Sequence, residues 1–96
     1  MGRKLVFTPL VEDYRAKFVN SWHITALKVL AELDRCIHSR PEAGTATSKR
    51  GRFAQSIAVT VSAKTFLCRV AYSYTDHAIR IEVFTWEVLS TVPADN

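Results

Sequence analysis

Apolar positions along this chain change their period near its middle. In the first half they return at helical spacing, and from Phe53 onward they alternate with polar residues. Ahead of both, Arg3 to Phe7 (RKLVF) reads as a short strand. Thr8-Pro9 then supplies a hydroxyl cap and a proline at the first helical position. Leu10, Val11, Tyr14 and Phe18 mark a first helix, with Glu12 and Asp13 near the positive end of its dipole. Asn20-Ser21 offers a break and a second cap, after which Trp22, Ala26, Val29, Leu30, Leu33, Cys36 and Ile37 form a continuous apolar stripe. Pro41 ends this second helix, because proline has no N–H for the ladder and disfavours helix at the residue before it. A helical hairpin is expected, one bent helix being the other arrangement the pattern allows.

Residues 42–52 (EAGTATSKRGR) form a polar segment of small residues with a basic cluster at Lys49, Arg50 and Arg52, expected to be a mobile loop. Beyond it Phe53, Gln55, Ile57, Val59 and Val61 point one way along a half-buried strand. A turn at Ser62 to Thr65 leads to two further strands, Phe66 to Tyr74 and Ala78 to Trp86, around a tight turn at Asp76 and His77. The pattern predicts one α+β domain over residues 1–96: a strand, a helical hairpin, then a three-stranded antiparallel meander, with the helices packed on one face of the sheet.

Register divides the last hairpin into two faces. With Thr75 and Ala78 flanking a two-residue turn, Tyr74 opposes Ile79, Tyr72 opposes Ile81, Val70 opposes Val83 and Cys68 opposes Thr85 on the core side. The other side pairs Ser73 with Arg80, Ala71 with Glu82, Arg69 with Phe84 and Leu67 with Trp86. Because the helices must bury their stripes against the apolar side, this second face is expected to lie open.

Composition narrows the class. The chain is 48% hydrophobic and 23% charged, as in ordinary globular proteins, and no apolar run approaches the roughly 18 residues of a membrane span. The opening MGRKLVFTPLVEDY lacks the apolar core of a signal peptide, so a soluble cytoplasmic protein is expected. Cys36 and Cys68 are too few for a disulfide scaffold and read as reduced, inert thiols. A net charge of +4 raises the local concentration of anions at the surface and favours an acidic partner.

Arginines interleaved with exposed aromatics suit RNA or single-stranded nucleic acid, since guanidinium groups hold phosphates while rings stack on bases. Arg69, Arg80, Phe84 and Trp86 on the open face, with Lys49, Arg50 and Arg52 nearby, are the candidates. The alternative is a solvated face in which Arg69 and Glu82 pair, with Phe84 and Trp86 anchoring a contact with another protein or with a second copy. No histidine pair has metal-ligand spacing, and no phosphate loop, nucleophile elbow or dinucleotide fingerprint is present; no cofactor or metal is expected.

The order strand, helical hairpin, three-stranded meander, together with CRVAYSYTDHAIRIEVF, resembles the RelE/ParE superfamily of toxins from bacterial type II toxin-antitoxin systems. Arg69, Val70, Ala71 and Tyr72 fall on that family's aromatic-Arg-apolar-apolar-Tyr segment, with Cys68 in the place of the aromatic. FTPLVEDYRAKF and ALKVLAELDRCIHSRPEAG are similar to its two helices. The resemblance implies either cleavage of messenger RNA on the ribosome or inhibition of DNA gyrase, and an antitoxin protein as partner. For the nuclease it implies Arg69 at the scissile phosphate. Arg80 would then help to polarise that phosphate, Glu82 would assist the attacking 2′-hydroxyl, and Trp86 or Phe84 would stack on a base. Thr60 and Ser62 stand where such nucleases carry basic residues.

Overall fold

A computed structural model describes residues 3–89. Strand β1 (Lys4–Phe7) leads into α1 (Pro9–Trp22) and α2 (Ile24–Ser39), a short 3-10 turn (Pro41–Ala43), and strands β2 (Thr45–Ala46), β3 (Phe53–Val61), β4 (Lys64–Tyr74) and β5 (Ala78–Leu89). The strands form one sheet in the order β1-β5-β4-β3-β2. Strand β1 runs parallel to β5 and every other neighbour is antiparallel, so the α+β fold carries a mixed, five-stranded sheet. The mixing follows from the chain path: two helices must cross the sheet between β1 and the later strands, which allows a parallel return.

The first helix starts as its sequence dictates. Thr8 is the N-cap, its hydroxyl accepting from the Val11 amide at 3.4 Å, and Pro9 takes the first helical position. The break lies at His23, beyond the Asn20-Ser21 expected from composition; both of those residues are helical. His23 takes φ 55°, ψ −127°, a conformation unusual for a side chain with a Cβ, and its amide donates to the Val19 carbonyl at 2.6 Å. The resulting hairpin is tied by Arg15, which donates to both oxygens of Asp34 at 2.8 Å and lies 4.1 Å over the Phe7 ring.

Both helices cover the same face of the sheet. Phe18, fully buried, stacks against Trp86 at 4.7 Å and Phe66 at 5.6 Å, with Phe84 at 6.0 Å and Trp22 edge-on to Phe66 at 5.1 Å. Val29, Leu30, Leu33 and Ile37 of α2 complete the core against Val59, Cys68, Val70 and Tyr72. Cys68 is buried, which pushes its thiol up to about 11, and burial also raises Cys36; both cysteines are free thiols.

The segment expected to be a mobile loop is built. Its 3-10 turn and β2 lie along the β3 edge, and the Thr47 hydroxyl accepts from the Lys49 amide and lies 3.2 Å from the Lys49 and Arg52 carbonyls. Gly51 supplies the left-handed residue of this turn at φ 76°. Tyr72 anchors the segment from below: its hydroxyl donates to the Pro41 carbonyl at 2.6 Å and accepts from Gln55 Nε2 at 2.8 Å. Gln55 also donates to the Arg40 carbonyl at 3.1 Å. Burial raises the Tyr72 phenol above its ordinary value, so it stays a donor at neutral pH.

Candidate nucleic-acid interface

The last hairpin keeps its expected register only as far as Ile81. Tyr74 opposes Ile79, Ser73 opposes Arg80 and Tyr72 opposes Ile81, but Ala71 then opposes Val83, leaving Glu82 as an extra residue in a β-bulge. Every later position of β5 changes face. Phe84 is buried at 1% exposure and Trp86 packs on Phe18, whereas Val83, Thr85 and Glu87 turn to the open side. The expectation that Phe84 and Trp86 lie open for stacking is therefore corrected: both belong to the core side. The reason is visible in the sequence, where the apolar phase moves from Ile79, Ile81 and Val83 to Phe84, Trp86 and Val88, leaving two apolar residues adjacent.

The open face that remains carries small side chains, Ala54, Ser56 and Ala58 on β3 and Ala71 and Ser73 on β4, with Leu67, Val83 and Val6 as its larger apolar members. Two charged groups stand on it. Arg52 donates through Nε to Glu82 Oε1 at 2.9 Å and also through Nη2, while Arg80 Nε lies 3.7 Å from Glu82 Oε2 and the Ser73 hydroxyl donates to it at 3.4 Å. Further along, Arg69 Nη1 donates to Glu87 Oε1 at 2.9 Å. The expected Arg69–Glu82 pair does not form; the bulge presents Glu87 to Arg69 and leaves Glu82 to Arg52 and Arg80. Arg69 and Ser73 are four positions apart on β4, about 13 Å along a strand, so Arg69 and Arg80 share a face but belong to separate clusters. Lys49 contributes to the field at Glu82, and Arg50 is exposed in the same turn.

Exposure separates these cations. The side chains of Arg80 and Arg69 are 62% and 54% exposed, against 25% for Arg52, which is committed to Glu82. An exposed pair such as Arg69–Glu87 is worth about 0–1 kcal/mol, so a phosphate that releases counterions competes for Arg69 on favourable terms. Glu82 differs. The Arg52 hydrogen bond, followed by the charges of Arg52, Lys49 and Arg80, outweighs burial and lowers its pKa. That holds it ionised and makes it a weak base, since a general base works best with a pKa near the working pH.

A depressed folded-state pKa gives stability that is present above the ordinary carboxylate range and lost as pH falls through the folded value. Glu82→Gln is accordingly expected to lower the urea midpoint at pH 7, with the gap to the parent chain narrowing toward pH 3. A gap independent of pH would refute the ion-pair assignment.

Among the described residues no cluster of histidine, cysteine or carboxylate side chains could hold a metal ion, and no helix is long and apolar enough to cross a membrane. Fold and face together define an α+β protein with a mixed sheet, covered by two helices on one side and bearing exposed arginines on the other. Comparison with protein-family models, with curated proteins and with solved structures finds no match in any of the three.

Proposed function

We propose that this chain is a growth inhibitor of the RelE/ParE type whose uncovered sheet face binds RNA. The observation that carries the reading is the placement of Arg69 and Arg80, each more than half exposed, on the sheet face that the helices leave uncovered, beside the small side chains of Ala54, Ser56 and Ala71. Arg52, Lys49 and Arg50 add positive charge at one end, and Lys4, exposed on β1, adds it along the side. The face thus has more cations than the two carboxylates, Glu82 and Glu87, that it carries. Support for the family comes from the chain order of a strand, two helices and three successive antiparallel strands, and from the RVAY segment at Arg69 to Tyr72.

In this reading Arg69 is the phosphate contact, Arg80 a second contact four positions along the hairpin, and Arg52 with Glu82 the fixed pair that holds the face in shape. Cleavage would need Glu82 or water as base in the field of two arginines, a field that favours binding phosphate over accepting a proton. The antitoxin expected of such a protein would neutralise it by covering this face.

Titration of single-stranded RNA against salt tests the proposal. Arg69→Ala and Arg80→Ala are each expected to weaken binding and to flatten the slope of log K against log salt by about 0.7. Glu87→Gln, which releases Arg69, is expected to strengthen binding. Expression in a bacterium should arrest growth with the parent chain and spare it with Arg69→Ala. Salt-independent or absent RNA binding would remove the RNA reading: growth arrest that persists then points to gyrase, and normal growth points to a non-catalytic interaction module.

A further inference from the structure

The β5 strand outruns its neighbour. Strand β1 pairs with Ala78 to Ile81 only, and the Thr8 amide makes the last bond, to the Ile81 carbonyl at 3.2 Å, before the chain turns into α1. From Val83 to Leu89 the strand is laddered to β4 on one side, and among the described residues no main-chain bond reaches its outer edge. This edge is long and apolar, with the sequence VFTWEVL over 83–89 and Glu87 its single charge. Val83 and Val88 are 37% and 38% exposed along it. On its core side Tyr14, Phe84 and Trp86 line a shallow groove of about 210 Å³, and Leu10 stands exposed one helical turn before Tyr14. At the opposite margin of the sheet β2 pairs only with Phe53 and Ala54, and the β3 edge beyond it, 55–61, has the sequence QSIAVTV, more polar and without an aromatic side chain. Edges of the first kind draw another strand, because a row of unpaired N–H and C=O groups is satisfied best by extended backbone.

We propose that the 83–89 edge of β5 pairs antiparallel with the same edge of a second copy of this chain. The strand is complementary to itself in the register that opposes Trp86 to its own copy. Thr85 then faces Glu87, Phe84 faces Val88 and Val83 faces Leu89, so each pair shares a face, apolar residues meet apolar residues, and the only charge meets a hydroxyl. The bulge at Glu82 marks where the pairing stops, since β1 occupies the ladder at Ile81 and below. The two Tyr14–Trp86 grooves come together beneath the joint and cover each other. A two-fold axis perpendicular to the sheet keeps both open faces on the same side, so the five-stranded sheet doubles and the Arg69 and Arg80 clusters of the two copies form one continuous cationic surface. This association is independent of what that surface binds.

Sedimentation of the full chain across a micromolar concentration series tests it. The expected result is a reversible dimer, with Val88→Lys raising the dissociation constant about tenfold or more by setting a cation opposite Phe84 of the other copy. Thr85→Glu gives a second arm. It sets like charges together across the joint, yet within its own chain it lies opposite Arg69, so it should weaken the dimer while leaving the melting point of the dilute monomer unchanged or higher. A chain that stays monomeric throughout, including one that captures an extended peptide from another protein, overturns the proposal. So does a dimer whose dissociation constant neither substitution changes.

Discussion

Gly44→Ala is expected to destabilise the chain by about 2–4 kcal/mol, combining overpacking with the loss of a buried hydrogen bond. For a domain of this size that lowers the melting temperature by roughly 10–25 °C. Gly44 has an extended backbone at φ −69°, so its conformation asks for no glycine. What excludes a side chain is proximity: a Cβ there would overlap the Tyr72 hydroxyl and sit 3.1 Å from Phe53 Cβ. Tyr72 cannot swing aside, because it is fully buried and its hydroxyl is held between the Pro41 carbonyl and Gln55. Removing that hydroxyl with Tyr72→Phe costs about 1–3 kcal/mol alone, by leaving Pro41 and Gln55 without their partner. In the Gly44→Ala background the same change relieves the overlap and should cost much less or nothing. Urea denaturation of the four chains checks the coupling; strictly additive losses would show that the close approach of Gly44 and Tyr72 is not the cause.

Phe84→Ala is expected to cost about 3–5 kcal/mol, whereas Val83→Ala, one residue earlier, should stay within about 0.5 kcal/mol. The contrast follows from the bulge, which turns Phe84 onto Phe18 and leaves Val83 facing out. In an unbroken ladder the two would exchange places and so would the two losses. Thermal or urea unfolding of both variants therefore reads the register of β5 directly, and equal losses would refute the bulge. The measurement also bears on the open face. A Phe84 that holds the core together is not available to stack on a base, so any RNA binding must come from the cations and should survive in Phe84→Ala wherever that variant remains folded.

How much of this is legible in the sequence varies along the chain. The Thr8-Pro9 start of α1, the apolar stripe of α2 and its stop before Pro41 are written in neighbouring residues, and the helices form there. Residues 42–52 read as loose polar loop because composition reports nothing about Tyr72, which reaches that segment from thirty-one positions away. Capping preference alone puts the break between the helices at Asn20-Ser21. The hairpin instead turns at His23, where packing of Phe18 and Trp22 on the sheet outweighs local propensity. At the candidate site, simple alternation puts Arg69 and Arg80 on the face they occupy but Phe84 and Trp86 on the side opposite to theirs. Glu87, the partner of Arg69, is not legible from alternation because its face depends on the bulge five residues before it.

By itself the sequence determined what each segment is and which side of it is apolar, since helical and extended periods, caps and prolines act between residues within a turn of one another. It also determined the cationic excess. Only the tertiary structure decided the phase of β5 beyond Glu82, the parallel docking of β1 and the edge that this short strand leaves without a partner among the described residues. Those depend on how the Phe18 cluster fills the space under the sheet and on where distant strands meet, and packing of that kind is set by the whole core at once.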